Sequence, residues 1–348
     1  MEQFDIADRT KLVIKENVLA VICDIPLKTV SSAFYQGGHN QLRAVLNVGV
    51  PDGYNDRSLH LNPLDLIISS AAKLGLTQDY LAMVTAAKIQ NYSLVTKKLE
   101  DFSVTVVATA GCQHGESSGE DMNVKEISGG TINVVVFIDA APTDSCMVAS
   151  VITATEAKSA VLHDFDIRSF YTGDSATGSI TDSVTVITSG KGKAINYAGP
   201  ASKLGKAVGY CTRKAVAEAL VKQEPFWANR TVLERLRERN LPLEKLAAEV
   251  SKVEGLAVTA DGLAEVLKGN RTALALLLEA AKMDEEVEKN RLPVELGDPA
   301  ELTRHFGGAA GATYSKLPGY DLVELPPFLK HSLVRILKEH KSRQVEHL

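Results

Sequence analysis

Short runs rich in β-branched residues alternate with helical patterns over the first 224 residues, and this alternation constrains the fold more than any other feature of the chain. Four such runs are bounded by Gly, Asp or Pro: LVIKENVLAVIC at 12–23, SVTVVATA at 103–110, TINVVVFID at 131–139 and SVTVITS at 183–189. Their composition is that of β-strands. Helical patterns lie near 63–75, 154–165 and 203–222, the last with an apolar stripe at three- and four-residue spacing. We therefore predict an α/β or α+β domain, a layered mixed sheet with flanking helices.

A rise in charge density marks a second region. Residues 1–224 carry 44 Lys, Arg, Asp and Glu, whereas the 124 residues from 225 to 348 carry 37. Helical segments bounded by Gly, Pro or Asn are predicted at 231–240, 242–255, 263–269 and 272–290, with a last helix to about residue 341 after an irregular segment at 296–327. We expect residues 225–348 to form a helical C-terminal extension. Association with a second copy of the chain, covering of a pocket and simple stabilisation are all open roles for it.

Charge and cysteine usage exclude several classes of protein. The net charge is -5 with no basic stripe, which argues against a nucleic-acid partner. No apolar run approaches the roughly 20 residues that span a bilayer, and the N-terminus lacks the apolar centre of a signal peptide. The four cysteines show no CxxC spacing, so we expect reduced, structural thiols in a cytoplasmic protein. The phosphate-loop and HExxH motifs are also absent from the sequence.

Polar residues concentrate between Val151 and Asp182, in VITATEAKSAVLHDFDIRSFYTGDSATGSITD. A Gly/Ser/Thr-rich loop, ATGSITD at 176–182, closes this segment immediately before a predicted strand. Polar groups on short loops at strand ends are where α/β proteins usually carry their chemistry. The sequence therefore predicts a functional site here.

This segment, with five others in the same order, resembles the adenosylcobinamide amidohydrolase (CbiZ) family of corrinoid-salvage enzymes of archaea and some bacteria. The others are SSAFYQGG at 31–38, MVTAA at 83–87, VVATAG at 106–111, GGTINVVVFID at 129–139 and ASKLGKAVG at 201–209. Two places depart from the family pattern. Ser179 and Ile180 replace a repeated Thr-Gly, and Gly199-Pro200-Ala201-Ser202 stands where the family has a histidine.

The resemblance implies hydrolysis of the amide that joins the corrin ring's propionyl arm to aminopropanol, giving adenosylcobyric acid and the amino alcohol. The substrate is thus a small-molecule corrinoid, and no cofactor or metal is assigned. The absent histidine keeps open a corrinoid-binding protein without hydrolysis, and a hydrolase of a different amide is a further alternative. Amide hydrolysis requires an activated nucleophile, donors for the oxyanion and an acid for the departing amine.

Three residues are candidates for catalysis. Glu156 follows small residues and is expected to open a helix as general base, although a Glu in a first turn also stabilises the helix dipole. Asp182 ends the ATGSITD loop, where it can serve catalysis or cap the next strand. His39 follows Gly37 and Gly38, whose small size lets a ligand approach the backbone; a simple turn is the alternative.

Further candidates would bind the substrate. Asn47 and Asn133 can hydrogen-bond corrin amides, and the loop residues Thr177, Gly178, Ser179 and Thr181 can cradle an oxyanion, with the three hydroxyls expected on one side. In the loop 111–123, Cys112, His114 and Glu116 alternate as metal ligands can, but without a second ligand pair we predict a flexible loop and no metal site. Thr131 would be the nucleophile if the chain cleaved itself, against the simpler alternative of a glycine turn entering a strand.

The two halves of the first region show a faint similarity. MVTAAK at 83–88 resembles VITATEAK at 151–158, and SVTVVATAG at 103–111 resembles SVTVITSG at 183–190. Strands of similar composition explain this equally well. The alternative hypothesis is a pair of halves related by pseudo-twofold symmetry with the site between them.

Overall fold

A computed structural model describes residues 2–51, 63–120, 130–253, 255–293 and 325–346, and the side chains of the last helix as far as residue 342. The described chain divides into two compact units: Met1–Phe170 with Ser175–Asn229, and Tyr171–Asp174 with Arg230–Leu348. Within the described residues, no helix combines the length and the apolar character that a membrane crossing requires. Most of the irregular segment 296–327 and the end of the loop 111–123 lie outside the described residues.

The first unit is built on a mixed sheet that confirms the α/β prediction. Its strands are β1 (Glu2–Ala7), β2 (Thr10–Lys15), β3 (Val18–Ser31), β4 (Gly38–Gly49), β5 (Tyr80–Thr85), β6 (Ser93–Lys98), β7 (Ser103–Gly111), β8 (Thr131–Asp139) and β10 (Ser183–Thr188). Two short strands, β9 (Ala141–Pro142) and β11 (Ala194–Ile195), pair separately. The run 12–23, predicted as one strand, is broken at Glu16, whose φ of 52° turns β2 into β3.

Strand β3 gives the sheet its curl. Along one side it pairs with β4 over its whole length, and on the other side with β2 at first and then with β10. The register shifts between Ile22 and Leu27, and a bulge of this kind bends a strand. From β10 the sheet continues through β8 (parallel) and β7 to the edge strand β6 (both antiparallel).

The faces of β8 follow the two-residue period of a strand. Ile132, Val134 and Val136 pack in the cluster shared with the helices, whereas Val135 and Phe137 pack inside the curl of the sheet. Because both faces are covered, every residue of this strand except Asp139 is buried. An uninterrupted apolar run such as TINVVVFID is typical of a strand buried on both faces.

Helices cover the outer face of the curled sheet in two places. Helix α1 (Leu64–Lys73) packs through Ile67 and Ala71 on β3, β4 and β5, and the pair α2 (Asp144–Asp164) and α3 (Lys203–Gln223) packs on β7, β8 and β10. The prediction that Glu156 opens a helix is wrong: α2 begins at Asp144, where the Thr143 hydroxyl caps it by accepting from the Cys146 N–H.

The proposed pseudo-twofold repeat is also wrong. Residues 80–85 form strand β5, whereas the similar letters at 151–158 lie inside helix α2. The two segments differ because burial requirements, and not local composition, decide the conformation of short Val/Ala/Thr runs.

The second unit is helical. It contains α4 (Val232–Arg237), α5 (Leu243–Val250), α6 (Ala260–Leu267), α7 (Arg271–Glu288) and α8 (Pro327–Glu346), packed around their own apolar cluster. The buried carboxylate of Asp284 in α7 accepts the backbone N–H groups of Phe328 (3.0 Å) and Leu329 (2.9 Å), which are orphan donors in the first turn of α8. Burial raises the pKa of Asp284 to about 7.

Candidate functional site

The polar strand-end loops of the first unit meet at one edge of the sheet. Strand β7 ends there at Gly111, while β8 and β10 begin there at Thr131 and Ser183, because β7 is antiparallel and β10 parallel to β8. Two loops of the first unit therefore share this edge: residues 112–120 after β7, and residues 165–170 with 175–182 before β10. We refer to them as the β7 loop and the β10 loop.

Backbone hydrogen bonds join the two loops directly. The Glu116 N–H donates to Gly178 O at 3.0 Å, and the Thr177 N–H donates to Glu116 O at 2.9 Å. On the other side, the Phe170 N–H donates to Gly115 O at 2.9 Å. The β7 loop is thus held between two segments of the β10 loop, as an added strand would be, and Glu116 lies at the centre of this arrangement.

Asp182 fastens three segments of the chain together. Its carboxylate is paired with Lys158 of α2, and it accepts from the Ile132 N–H at 2.9 Å and the Ser179 N–H at 3.0 Å. The Ser179 hydroxyl is a fourth donor to the same group. A carboxylate offers about four lone-pair sites, so this set of donors occupies all of them. Asp182 is therefore built to hold the loop in place, and it has no vacant acceptor with which to take a proton from a substrate.

The remaining candidate residues of the ATGSITD loop also help to hold the loop in place, each through a different contact. A Cβ on Gly178 would lie 2.8 Å from Asp182 Oδ2 and 3.0 Å from Lys158 Nζ, so a glycine is required where the ion pair covers the backbone. The Thr177 hydroxyl bonds to Ser118, and the Thr181 hydroxyl bonds to Thr131 at 2.8 Å. The three hydroxyls of this loop thus bond to three different partners, Ser179 bonding to Asp182.

Sequence patterns did not indicate an acid–base role for Glu116 and Glu120, two carboxyl groups on the β7 loop. Glu120 accepts from the Ser169 hydroxyl at 2.9 and 2.8 Å and from the Ser117 N–H at 3.0 Å. Burial, and then a hydrogen bond to Glu120, raise the pKa of Glu116 to about 7. Both glutamates are half-buried. A carboxyl group that titrates near neutral pH in contact with solvent is suited to general acid–base catalysis.

Two aromatic side chains lie beside this pair. The rings of His114 and Phe170 are in contact, with centroids 4.6 Å apart and planes inclined by 60°. Phe170 is nevertheless 60% exposed, although its neighbour Ser169 is buried and bonded to Glu120. An exposed phenyl ring next to a polar site offers an apolar surface to a ligand.

Glu224 holds the start of the β7 loop in place. This buried carboxylate accepts the Cys112 N–H at 3.1 and 2.9 Å and the Trp227 indole N–H at 2.5 Å. Burial raises the pKa of Glu224. Cys112 is itself buried, and its Sγ is directed at Gly178 O, 3.9 Å away. No set of three His, Cys, Asp or Glu side chains placed to hold a metal ion is found among the described residues.

Two predicted catalytic residues lie away from these loops. Glu156 is exposed on α2, on a different face of the helix from the buried Lys158. His39 is in strand β4 opposite Val30, not in a turn, and its Nε2 is 3.6 Å from Asp144 Oδ1 at the start of α2. At 1.5 Å per residue, Asp144 is about 20 Å along the helix from Lys158. The structure therefore brings neither Glu156 nor His39 to Asp182.

The two asparagines predicted to bind substrate are interior residues. Asn47 of β4 and Asn133 of β8 point into the curled sheet, only 3% and 1% exposed. The Asn133 amide donates to Asn47 Oδ1 at 2.8 Å and to Val84 O at 2.9 Å, and the Asn47 amide donates to the Thr109 hydroxyl at 2.8 Å. These bonds close the curl of the sheet by tying β4 and β5 to β7 and β8.

The predicted glycine pair shapes the connection from β3 to β4. A Cβ on Gly37 would lie 2.3 Å from Ala33 O, and Gly38 adopts a φ of +89°. The backbone conformation of this connection therefore requires glycine at both positions. Phe34, in the same connection, is 62% exposed.

The position where the family pattern has a histidine is a helix N-terminus in this chain. Ser202 caps α3: its hydroxyl accepts from the Gly205 N–H at 3.0 Å and donates to Gly199 O at 2.8 Å. The segment 199–202 thus has a structural function that depends on no histidine.

Comparison with known proteins places these observations in a family. The family model described as adenosylcobinamide amidohydrolase matches residues 3–226. An adenosylcobinamide amidohydrolase of Methanosarcina mazei is 27% identical over 225 residues, 63% of this chain and 94% of that protein. An uncharacterized protein of Methanocaldococcus jannaschii is 28% identical over 207 residues, 54% of this chain and 80% of that protein. The crystal structure of the PH0078 protein from Pyrococcus horikoshii superposes with a TM-score of 0.34 at 12% identity, covering 61% of this chain and 83% of that one.

Proposed function

The chain belongs to the adenosylcobinamide amidohydrolase family, and we propose that it hydrolyses the amide between the corrin propionyl arm and aminopropanol, with Glu116 as general base. Membership of the family supports a hydrolase, and the relative from Methanosarcina mazei carries the name of this reaction. The corrinoid substrate and the bond that is cleaved are part of the proposal.

One observation carries the assignment of the base: Glu116 is a half-buried carboxyl group with a pKa of about 7 at the centre of the joined strand-end loops. Above that pH it is ionised and can remove a proton from a water molecule as the water oxygen bonds to the amide carbon. As the C–N bond breaks, the same proton passes to the departing nitrogen. The products are a carboxylic acid and an amine, and Glu116 is regenerated.

The other groups of the site have supporting parts in this proposal. The pair of Lys158 and Asp182 fixes the segment 177–182, whose backbone holds Glu116 in place. The exposed Phe170 ring, with His114 behind it, offers an apolar contact for the large corrin ring. Rigid fastening of the loop is consistent with the precise placement that a catalytic group requires.

The experiment is incubation of the purified full chain with adenosylcobinamide, with adenosylcobyric acid and aminopropanol scored by mass. We expect both products from the unaltered chain, and a loss of about 10²- to 10⁴-fold in kcat for Glu116→Gln. Glu156→Gln is the matched control, since it removes the same charge from an exposed helix position. Full activity in Glu116→Gln together with loss in Glu156→Gln would transfer the role of base to Glu156.

The result also separates the alternative functions. Binding of adenosylcobinamide without release of aminopropanol would make the chain a corrinoid-binding protein, the possibility raised by the missing histidine. If the chain neither binds nor cleaves this corrinoid, the proposed substrate is wrong, and a different amide would have to be sought.

A further inference from the structure

Four residues of the second unit interrupt the β10 loop of the site. The chain leaves the first unit after Phe170, and Tyr171–Asp174 form part of the second unit before the chain returns at Ser175. Within the first unit, the two arms of the loop are paired, since Arg168 forms an antiparallel bridge with Ser175. Residues 171–174, which we call the tip, therefore connect the two arms of a hairpin that carries Phe170 at the site.

Within the second unit, Asn240 holds the tip through its side chain. The Asn240 amide donates to Tyr171 O at 3.2 Å, one residue beyond Phe170. Asn240 lies in the turn between α4 and α5 with a φ of 59°, a left-handed conformation that asparagine tolerates better than most residues. The buried guanidinium of Arg239, the residue before it, donates to Glu285 Oε1 at 2.8 Å and so fixes this turn. The amide is thus presented to the tip by a rigid turn.

Gly173 brings the tip against the same turn. A Cβ on Gly173 would lie 3.0 Å from the carbonyl carbon of Arg239 and 3.1 Å from its Cα, and Gly173 adopts a φ of +77°. The close approach and the positive φ both require glycine. Asp174 Oδ1 also lies 3.5 Å from Lys289 Nζ, but the two side chains are 52% and 32% exposed, so this ion pair contributes little.

We propose that Asn240 and Gly173 are positioning residues, which hold the tip and thereby fix Phe170 for binding of the substrate. The Phe170 N–H donates to Gly115 O at 2.9 Å, and the next residue in the chain accepts from Asn240, so the backbone is held on both sides of the exposed ring. A contact residue that is fixed in advance loses less conformational entropy on binding. The inference rests on the proposed function, in which Phe170 contacts the corrin ring.

The test is hydrogen exchange of the full chain, read amide by amide by mass spectrometry, in parallel with KM and kcat for adenosylcobinamide. Asn240→Gly removes the donor to Tyr171 O but keeps a residue that readily adopts a positive φ. We expect exchange of the Phe170 amide to become about fivefold faster, the factor that corresponds to the loss of one hydrogen bond. KM should rise by a similar factor, with kcat changed by less than about twofold.

Matched controls separate the tip from general effects on the second unit. Asn290→Gly replaces another asparagine with a positive φ, 52°, at an exposed position just after α7, and should leave Phe170 exchange and KM unchanged. Gly173→Ala, whose Cβ would meet Arg239, should act as Asn240→Gly does and decides the question if that variant does not fold. Its control is Gly269→Ala, with a φ of +71° and nothing within 4 Å of the added Cβ.

Unchanged exchange of the Phe170 amide in a folded Asn240 or Gly173 variant overturns the inference, and so does an equal change in the matched control. Faster exchange at Phe170 without a rise in KM also overturns it. If the unaltered chain hydrolyses no adenosylcobinamide, while exchange at Phe170 responds to the Asn240 and Gly173 changes alone, the proposed function is refuted and the holding of the tip is not.

Discussion

The buried pair of Lys158 and Asp182 provides the sharpest test of how the loop at the site is held. The two side chains are 7% and 13% exposed. In Asp182→Ala the Lys158 ammonium stays buried without its partner, and the Ile132 and Ser179 N–H groups lose their acceptor. Truncation of one partner of a buried ion pair costs about 3–5 kcal/mol, so we expect about 4 kcal/mol.

The complementary variant should cost less. In Lys158→Met, Asp182 keeps the Ile132 N–H, the Ser179 N–H and the Ser179 hydroxyl, and one charged hydrogen bond is lost, at about 2 kcal/mol. The double variant has no unpaired buried charge, and we expect it to cost about 3 kcal/mol. The summed cost of the two single variants therefore exceeds the cost of the double variant by about 3 kcal/mol, and this difference is the coupling energy of the pair.

Unfolding of the first unit can be followed separately. Trp227 is the single tryptophan of the chain, belongs to the first unit and is 6% exposed, so its fluorescence reports on that unit in urea titrations. Glu156→Gln, at an exposed position on the same helix as Lys158, should change the unfolding free energy by less than about 0.5 kcal/mol. Single-variant costs that add within about 0.5 kcal/mol in the double variant would refute the reasoning, because the pair would then be uncoupled.

Three further predictions concern other parts of the chain. A Cβ on Gly205 would lie 2.0 Å from Gly199 O, so Gly205→Ala should lower the urea midpoint reported by Trp227 fluorescence. Gly209 is in the same helix, but a Cβ there would come no closer than 3.8 Å to Thr153 of α2, so Gly209→Ala should be neutral or stabilising by up to about 1 kcal/mol. If the proposed function holds, Phe170→Ala should raise KM for adenosylcobinamide and leave kcat nearly unchanged; equal loss in kcat and kcat/KM would contradict a binding role. Burial raises the pKa of Asp284 from 3.8 to about 7, so the folded state binds a proton more tightly than the unfolded state does. The free energy of unfolding should therefore decline by roughly 4 kcal/mol as the pH rises from 4 to 7. Urea titrations followed by helical circular dichroism should show this decline in the unaltered chain and not in Asp284→Asn.

Much of the first unit could be predicted from composition alone. The strand 131–139 was identified at its observed bounds, because TINVVVFID is continuous, β-branched and buried on both faces. Helix α3 was found from its apolar stripe, since Leu204, Val208 and Cys211 recur on one side of the helix. Composition does not predict β4 or β5, because the first half of β4, GHNQLR, is polar and β5 is only six residues long.

The start of helix α2 shows where local patterns fail. Residues 146–153 are Cys, Met, Val, Ala, Ser, Val, Ile and Thr, which suit a buried strand as well as a buried helix. Packing against α3 decides the matter, and with it the place of Glu156 on the exposed face of the helix. Glu156, expected at the start of a helix, therefore lies inside α2 with its side chain exposed.

The sequence by itself determined the alternation of strands and helices, the family over residues 3–226, and the loop 176–182 as the place where polar groups gather. These follow from local composition and from the order of short motifs, which the linear chain displays directly. Only the tertiary structure decided which side chains meet: Lys158 with Asp182, Asn47 with Asn133, and Glu120 with Ser169. Such contacts depend on the curl of the sheet and on pairing between segments far apart in sequence, and the free energy of each group is set by the neighbours that this pairing supplies.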